Sequence, residues 1–161
     1  MAQTVKPIPD GYHTATPYLI VNNAARAIDF YKKAFGAVEL FRLGDDKAIM
    51  HAEIKIGNSA IMLADECPEM QALSPKTLGG SPITIMLYVE KVDEVFKQAI
   101  SAGATVIRPV SNQFYGDRSG GLEDPFGHKW YIATHVEDVS VEEINKRAAA
   151  MQKERAASAA K

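Results

Sequence analysis

Two stretches of the chain carry the same hydrophobic rhythm. "TPYLIVNNAARAIDFYKKAFGA" begins at Thr16 and "TIMLYVEKVDEVFKQAISAGA" at Thr84. Thr16, Leu19 and Val21 match Thr84, Leu87 and Val89, and Gly36-Ala37 matches Gly103-Ala104 after a one-residue slip. Each stretch opens with a short run of β-formers and passes into a helical pattern. Ala27, Ile28, Tyr31 and Phe35 share one helix face; Val92, Val95, Phe96, Ala99 and Ile100 share the other. Asn23 is placed to cap the first helix, and Gly36 and Gly103 to end each helix in the left-handed conformation.

Strand patterns follow each helix. "VELFRL" runs to the turn "GDD", "KAIMHAEIKIG" alternates, and "NSAIMLAD" follows Gly57-Asn58. The second unit supplies "TVIRPV", "DRSGGLED" and "HKWYIATH", with a tight turn at Asp124-Pro125-Phe126-Gly127. The expectation is an α+β fold of two tandem βαβββ modules, about 14–65 and 83–136. Between them lies "DECPEMQALSPKTLGGSP", residues 65–82, a linker long enough to be functional or to form an interface. The tail, residues 138–161, opens on the capping pattern of Ser140 and Glu143. Its thin apolar stripe (Ile144, Ala148, Met151) predicts a helix lying on a surface, its own or a partner subunit's; a frayed, solvated helix is the alternative.

Composition narrows the partners. With 161 residues, 47% of them hydrophobic and 24% charged, the values suit one globular domain over residues 1–137 plus the tail. A net charge of −2 and the lack of a basic run argue against nucleic acid. Cys67 is the single cysteine, so neither a disulfide framework nor a cysteine zinc site is expected. No apolar run approaches the roughly 20 residues of a membrane span, and the first residues, "MAQTVKPIPDGYH", lack a secretory apolar core. A cytoplasmic protein with no membrane partner is expected.

Two such modules in tandem, with "AARAIDFYKKAFGA" and "DPFGHKWYIATH", resemble the vicinal oxygen chelate superfamily, the glyoxalase/bleomycin-resistance/dioxygenase group. "PDGYHTATPYLIV", "LADECPEM", "FYGDRSGGLEDPFGH" and "ATHVEDVS" resemble its PhnB-like branch, and the likeness covers about residues 9–142. The resemblance implies curved mixed sheets around a concave pocket, helices outside, and a homodimer. It also implies metal-dependent relatives, whose ligand positions fall here on Thr16, Met62, Thr84 and Tyr131. Thioether and neutral hydroxyl groups will not hold a divalent cation, so no metal and no other cofactor is expected there.

Alternation places Thr16, Tyr18, Ile20, Thr84, Met86 and Tyr88 on the pocket side, with Ala60, Met62, Ala64, Lys129, Tyr131 and Ala133. Met62, Met86, Tyr18, Tyr88 and Tyr131 would then line an apolar cavity with hydroxyl handles, or else simply fill it as core. His51 and Glu53, two apart on one strand face, are candidate acid-base groups, two ligands of a relocated divalent metal, or a cross-strand ion pair on an exposed face. Tyr115, Asp117 and Arg118 form a polar loop cluster. There Arg118 either binds a ligand anion or pairs within the protein to Glu or the tail. Arg42 and Arg108 read as surface or rim groups. Three functions follow: a metal-free protein binding a small apolar or aromatic molecule; a lyase or isomerase using His51 and Glu53; or a dimeric scaffold with a filled cavity.

Overall fold

The computed structural model describes residues 5–159; the outermost ends of the N-terminal segment and of the tail, residues 1–4 and 160–161, lie outside them. The strands form two four-stranded mixed sheets of the same topology. In module one, β1 (Tyr18–Val21), β2 (Val38–Asp45), β3 (Ala48–Ile56) and β4 (Ser59–Asp65) adopt the order β1-β4-β3-β2. In module two, β5 (Thr84–Tyr88), β6 (Thr105–Asn112), β7 (Asp117–Glu123) and β8 (Lys129–His135) adopt the order β5-β8-β7-β6. Only β1–β4 and β5–β8 pair in parallel, because the crossover helices α1 (Ala24–Phe35) and α3 (Val92–Ala102) separate their strands.

The caps work as the sequence predicts. Asn23 accepts the Arg26 N–H, and Gly36 and Gly103 have φ of 65° and 118°. Each sheet also caps its own helix: Asp65 at the end of β4 accepts from Ala24 N at 2.7 Å, and Thr134 near the end of β8 from Val92 N at 2.9 Å. The two helices pack on each other and on the inner sheet faces, where Leu19, Val21, Ile54, Ile61, Leu63, Trp130 and Ile132 are buried. Ile100 departs from its expected face and stands exposed, because α3 buries only the Val92–Phe96–Ala99 stripe.

The modules are joined through the Asp124 turn. Its carboxylate is buried and accepts four hydrogen bonds. Oδ1 takes the N–H groups of Phe126 and His128, both at 2.9 Å. Oδ2 takes the Trp130 indole at 2.9 Å and the hydroxyl of Tyr31, from α1 of the other module, at 2.8 Å. His128 Nε2 lies 3.0 Å from the Ile20 carbonyl, and the Gln98 amide donates to Lys33 O at 2.7 Å.

The linker folds against this junction. Glu66 accepts the Ser74 N–H at 2.6 Å, Ser74 caps the one-turn helix α2 (Pro75–Leu78), and Pro75 is buried against Gly127. The tail helix α4 (Val141–Ala159) is capped at Ser140, whose hydroxyl accepts from Glu143 N at 3.2 Å. Arg147 anchors it, donating to Glu137 at 2.8 Å and to the Phe114 carbonyl at 3.3 Å, while Ile144, Ala148 and Met151 stay half-buried. None of the described helices is long and apolar enough to cross a membrane.

Candidate functional site

The sheet faces opposite the helices are open, and the alternation of each strand decides what they display. In module one β3 sends Ala52, Ile54 and Ile56 into the core and His51, Glu53 and Lys55 to the open side. Register carries the open face across the sheet: Tyr18 lies beside Met62, Met62 beside Glu53, Glu53 beside Phe41 and His51 beside Leu43. In module two the same row runs Met86, Tyr131, Gly121, Arg108.

His51 and Glu53 belong to one hydrogen-bonded array. The Tyr18 hydroxyl lies 2.9 Å from His51 Nδ1, and His51 Nε2 lies 3.1 Å from Glu53 Oε1. Tyr12, from the N-terminal segment, donates to the other Glu53 oxygen. Tyr12 and His51 hold the Glu53 carboxyl below its ordinary range, and the hydrogen bond to Glu53 pushes the Tyr12 hydroxyl up to about 12. Burial raises the Tyr18 hydroxyl too. With Glu53 charged, neutral His51 carries its proton on Nε2 and accepts the Tyr18 proton at Nδ1, an assignment that follows from the partners. Phe41 packs beside the imidazole at 6.1 Å between ring centres. Residues of the 7–14 segment border an open hollow of about 510 Å³, whose other walls include Thr16, Glu53 and Met62. A second hollow of about 500 Å³ lies where the starts of β1 and β5 meet, lined by Thr16, Tyr18, Thr84 and Met86. A third, about 630 Å³, sits between the β3–β4 turn and the start of α3 and is lined by no member of the array.

The positions assigned to a metal by resemblance are Thr16, Met62, Thr84 and Tyr131. Their donors do not fit a hard or borderline divalent cation, which needs converging carboxylate or imidazole groups. Among the described residues no three His, Cys, Asp or Glu side chains converge.

The polar loop cluster divides between two faces. Arg118 does not reach the open face. It turns to the helix side and grips Asp93 of α3 with Nε and Nη2 at 2.8 and 2.6 Å, because its β7 position lies one residue out of phase with the open row. The partner is therefore neither a Glu nor the tail. Asp117 is buried, accepting from Tyr88 at 2.7 Å and contacting His135 Nδ1 at 2.8 Å; His135 Nε2 lies 3.0 Å from Asp138. Asp117 and Asp138 raise the His135 imidazole, and Asp117 raises the Tyr88 hydroxyl. Tyr115 packs edge-on against Phe114 near this cluster.

Two groups escaped the sequence reading. Tyr12 sits 41 residues from Glu53, with no periodic signal linking them. Arg108, half-buried on the edge strand β6, has partners that the sequence did not announce: its guanidinium lies 4.7 Å from the Tyr131 ring centre, and Nη2 donates to Ser119 at 3.1 Å. Arg42 also lies near the sheet edge, paired with Glu39 at 2.7 Å and with Asp46.

Known proteins resemble the chain in sequence or in fold. Protein Mb0911c of Mycobacterium bovis, which carries no assigned function, is 46% identical over 133 residues, 80% of this chain and 88% of that protein. YjdN of Escherichia coli is 25% identical over 141 residues, 73% of this chain and 92% of that protein. Among solved structures, TioX from Micromonospora sp. ML1 superposes with a TM-score of 0.61 at 23% identity, covering 80% of this chain and 100% of its own. A PhnB protein from Bacillus cereus does so at 0.57 and 18%, covering 76% and 99%. These two structural likenesses speak for the fold alone. The family model of the Glyoxalase/Bleomycin resistance protein/Dioxygenase superfamily matches residues 12–132, and with that span and the mycobacterial relative the chain belongs to this superfamily.

Proposed function

We propose that the protein binds a small apolar or aromatic molecule on its open sheet faces without a metal ion, acting as a homodimer in the cytoplasm. One observation carries the reading. Tyr18, Met86 and Tyr88 are 48%, 45% and 64% exposed, although a packed core would bury side chains of this size. Tyr18 and Met86 line the hollow of about 500 Å³, and Met86 and Tyr88 the one of about 630 Å³, both in the size range of small-molecule sites. The homodimer rests on the same faces. Phe41 and Leu43 extend the apolar row of module one to the β2 edge, where they stay exposed, and Val106 and Ile107 are exposed on the β6 edge of module two. A second copy would cover them.

Met62→Trp tests the binding reading, because Met62 borders the 510 Å³ hollow. Overpacking a full core costs about 1–3 kcal/mol, whereas an open hollow absorbs the ring. The expected result is a thermal midpoint within about 2 °C of the parent, together with loss of calorimetric binding of 2-naphthamide, a neutral planar probe. A marked loss of stability, with no probe binding by the parent, would favour the filled scaffold instead.

The Tyr18–His51–Glu53–Tyr12 array supports a second reading, a lyase or isomerase. A histidine oriented by a carboxylate is the arrangement that moves a proton to or from a bound substrate. His51 would exchange the proton once a ligand displaced the Tyr18 hydroxyl from Nδ1, and Glu53 would hold the ring in place.

A further inference from the structure

Arg108 is expensive to keep where it is. It sits half-buried on the open face of module two, and its Nε is buried without a hydrogen-bond partner. Among the described residues no carboxylate lies within ion-pair range of it; the serine hydroxyl and the ring of Tyr131 are its polar company. A half-buried cation usually meets an anion or water, and a buried donor left empty calls for an explanation.

The surroundings look built to hold it there. The β6–β7 register slips on both sides of Arg108, between Val106 and Arg108 and again between Arg108 and Ser111. Bulges of this kind re-aim a side chain. Across the ladder stands Gly121, paired with Arg108 on one side and Tyr131 on the other. A Cβ on Gly121 would meet the Tyr131 ring at 3.1 Å, so the absent side chain makes room for the ring to settle beside the guanidinium. Met86, next to Tyr131 in the row, extends the flat apolar surface.

We infer that Arg108 anchors an anion and that the ligand of this face is a planar aromatic carboxylate. Its ring would lie along Met86 and Tyr131, and its carboxylate would meet the guanidinium. The inference rests on the binding reading above and narrows its ligand class. A planar fork matches a carboxylate, and the Tyr131 ring fixes the plane of the fork before the ligand arrives.

The experiment compares 2-naphthoate with 2-naphthamide, its neutral near-isostere, by titration calorimetry on the full chain and on Arg108→Met and Arg108→Lys. The expected parent prefers the carboxylate by about tenfold or more. Arg108→Met should lose that preference while still binding the amide, and Arg108→Lys should keep part of it. Equal binding of both probes by the parent overturns the anion anchor and leaves the pocket standing; binding of neither overturns both. A probe-free readout runs beside this. If Arg108 is held for a ligand, Arg108→Met relieves an unpaired cation, and its thermal midpoint should equal or exceed that of the parent. A fall of more than about 3 °C would make Arg108 a structural strut. A change in sedimentation to monomer would make its counter-ion a second copy of the chain. Either result overturns the inference.

Discussion

Replacing Asp124 with Asn should loosen one module from the other while leaving the turn intact. The amide oxygen can occupy the Oδ1 position and keep the Phe126 and His128 N–H bonds, both 2.9 Å in the parent. The NH₂ then falls at Oδ2, facing the Trp130 indole N–H at 2.9 Å and the Tyr31 hydroxyl at 2.8 Å. The hydroxyl can turn and accept; the indole only donates and is stranded. Tyr31 and Trp130 are fully buried, so water cannot replace the lost partner. A stranded buried donor costs about 1–3 kcal/mol, and trading a charged acceptor for a neutral one weakens the remaining bonds. The sum is a loss of about 2–4 kcal/mol, a large share of the roughly 5–15 kcal/mol that holds a domain together. Urea unfolding reads it directly, since Trp130 is the only tryptophan in the chain and sits in the network. Far-UV dichroism checks that both probes follow one transition. Tyr31→Phe should cost less than Asp124→Asn, and the double variant less than the sum, because the two share one oxygen. A loss below about 1 kcal/mol for Asp124→Asn would refute the carboxylate as the link between modules.

Three further outcomes are expected. Asp117 and Asp138 raise His135 above its ordinary 6.5, so that pairing is fully present below the unfolded value and fades as pH rises through the folded one; the urea midpoint should fall across that window, Asp117→Asn should flatten the dependence, and an NMR titration of His135 unmoved by the substitution would count against it. Glu53→Gln should bring the Tyr12 hydroxyl down from about 12 toward its ordinary 10, followed by NMR of that ring; an unchanged titration would show that Glu53 does not hold Tyr12. Leu43→Asp places a charge on the exposed end of the module-one row and should convert a sedimenting dimer to monomer without loss of folding; a parent that sediments as a monomer at micromolar concentration refutes the homodimer.

The tandem modules and their faces were legible because local periodicity encodes them. The match of Thr16, Leu19 and Val21 to Thr84, Leu87 and Val89 announced the repeat. Two-residue alternation put Leu63 and Ile132 inside, and put Met62 and Tyr131 on the open side with His51 and Glu53. Asn23, Gly36, Gly103 and the Asp124 turn are short-range devices whose partners lie within a few residues, so residue type alone announces them. What each polar side chain meets was decided only when distant segments came together. Tyr31 and Asp124 stand 93 residues apart, and Tyr12 and Glu53 stand 41 apart. Arg118 and Arg108 are a residue type that the sequence cannot tell apart. One finds Asp93 on the helix side, while two bulges and a glycine turn the other onto Tyr131. Alternation sets which face a side chain takes along an undisturbed strand. A bulge resets that phase, and only the packed sheets determine which charge or ring waits on the other side.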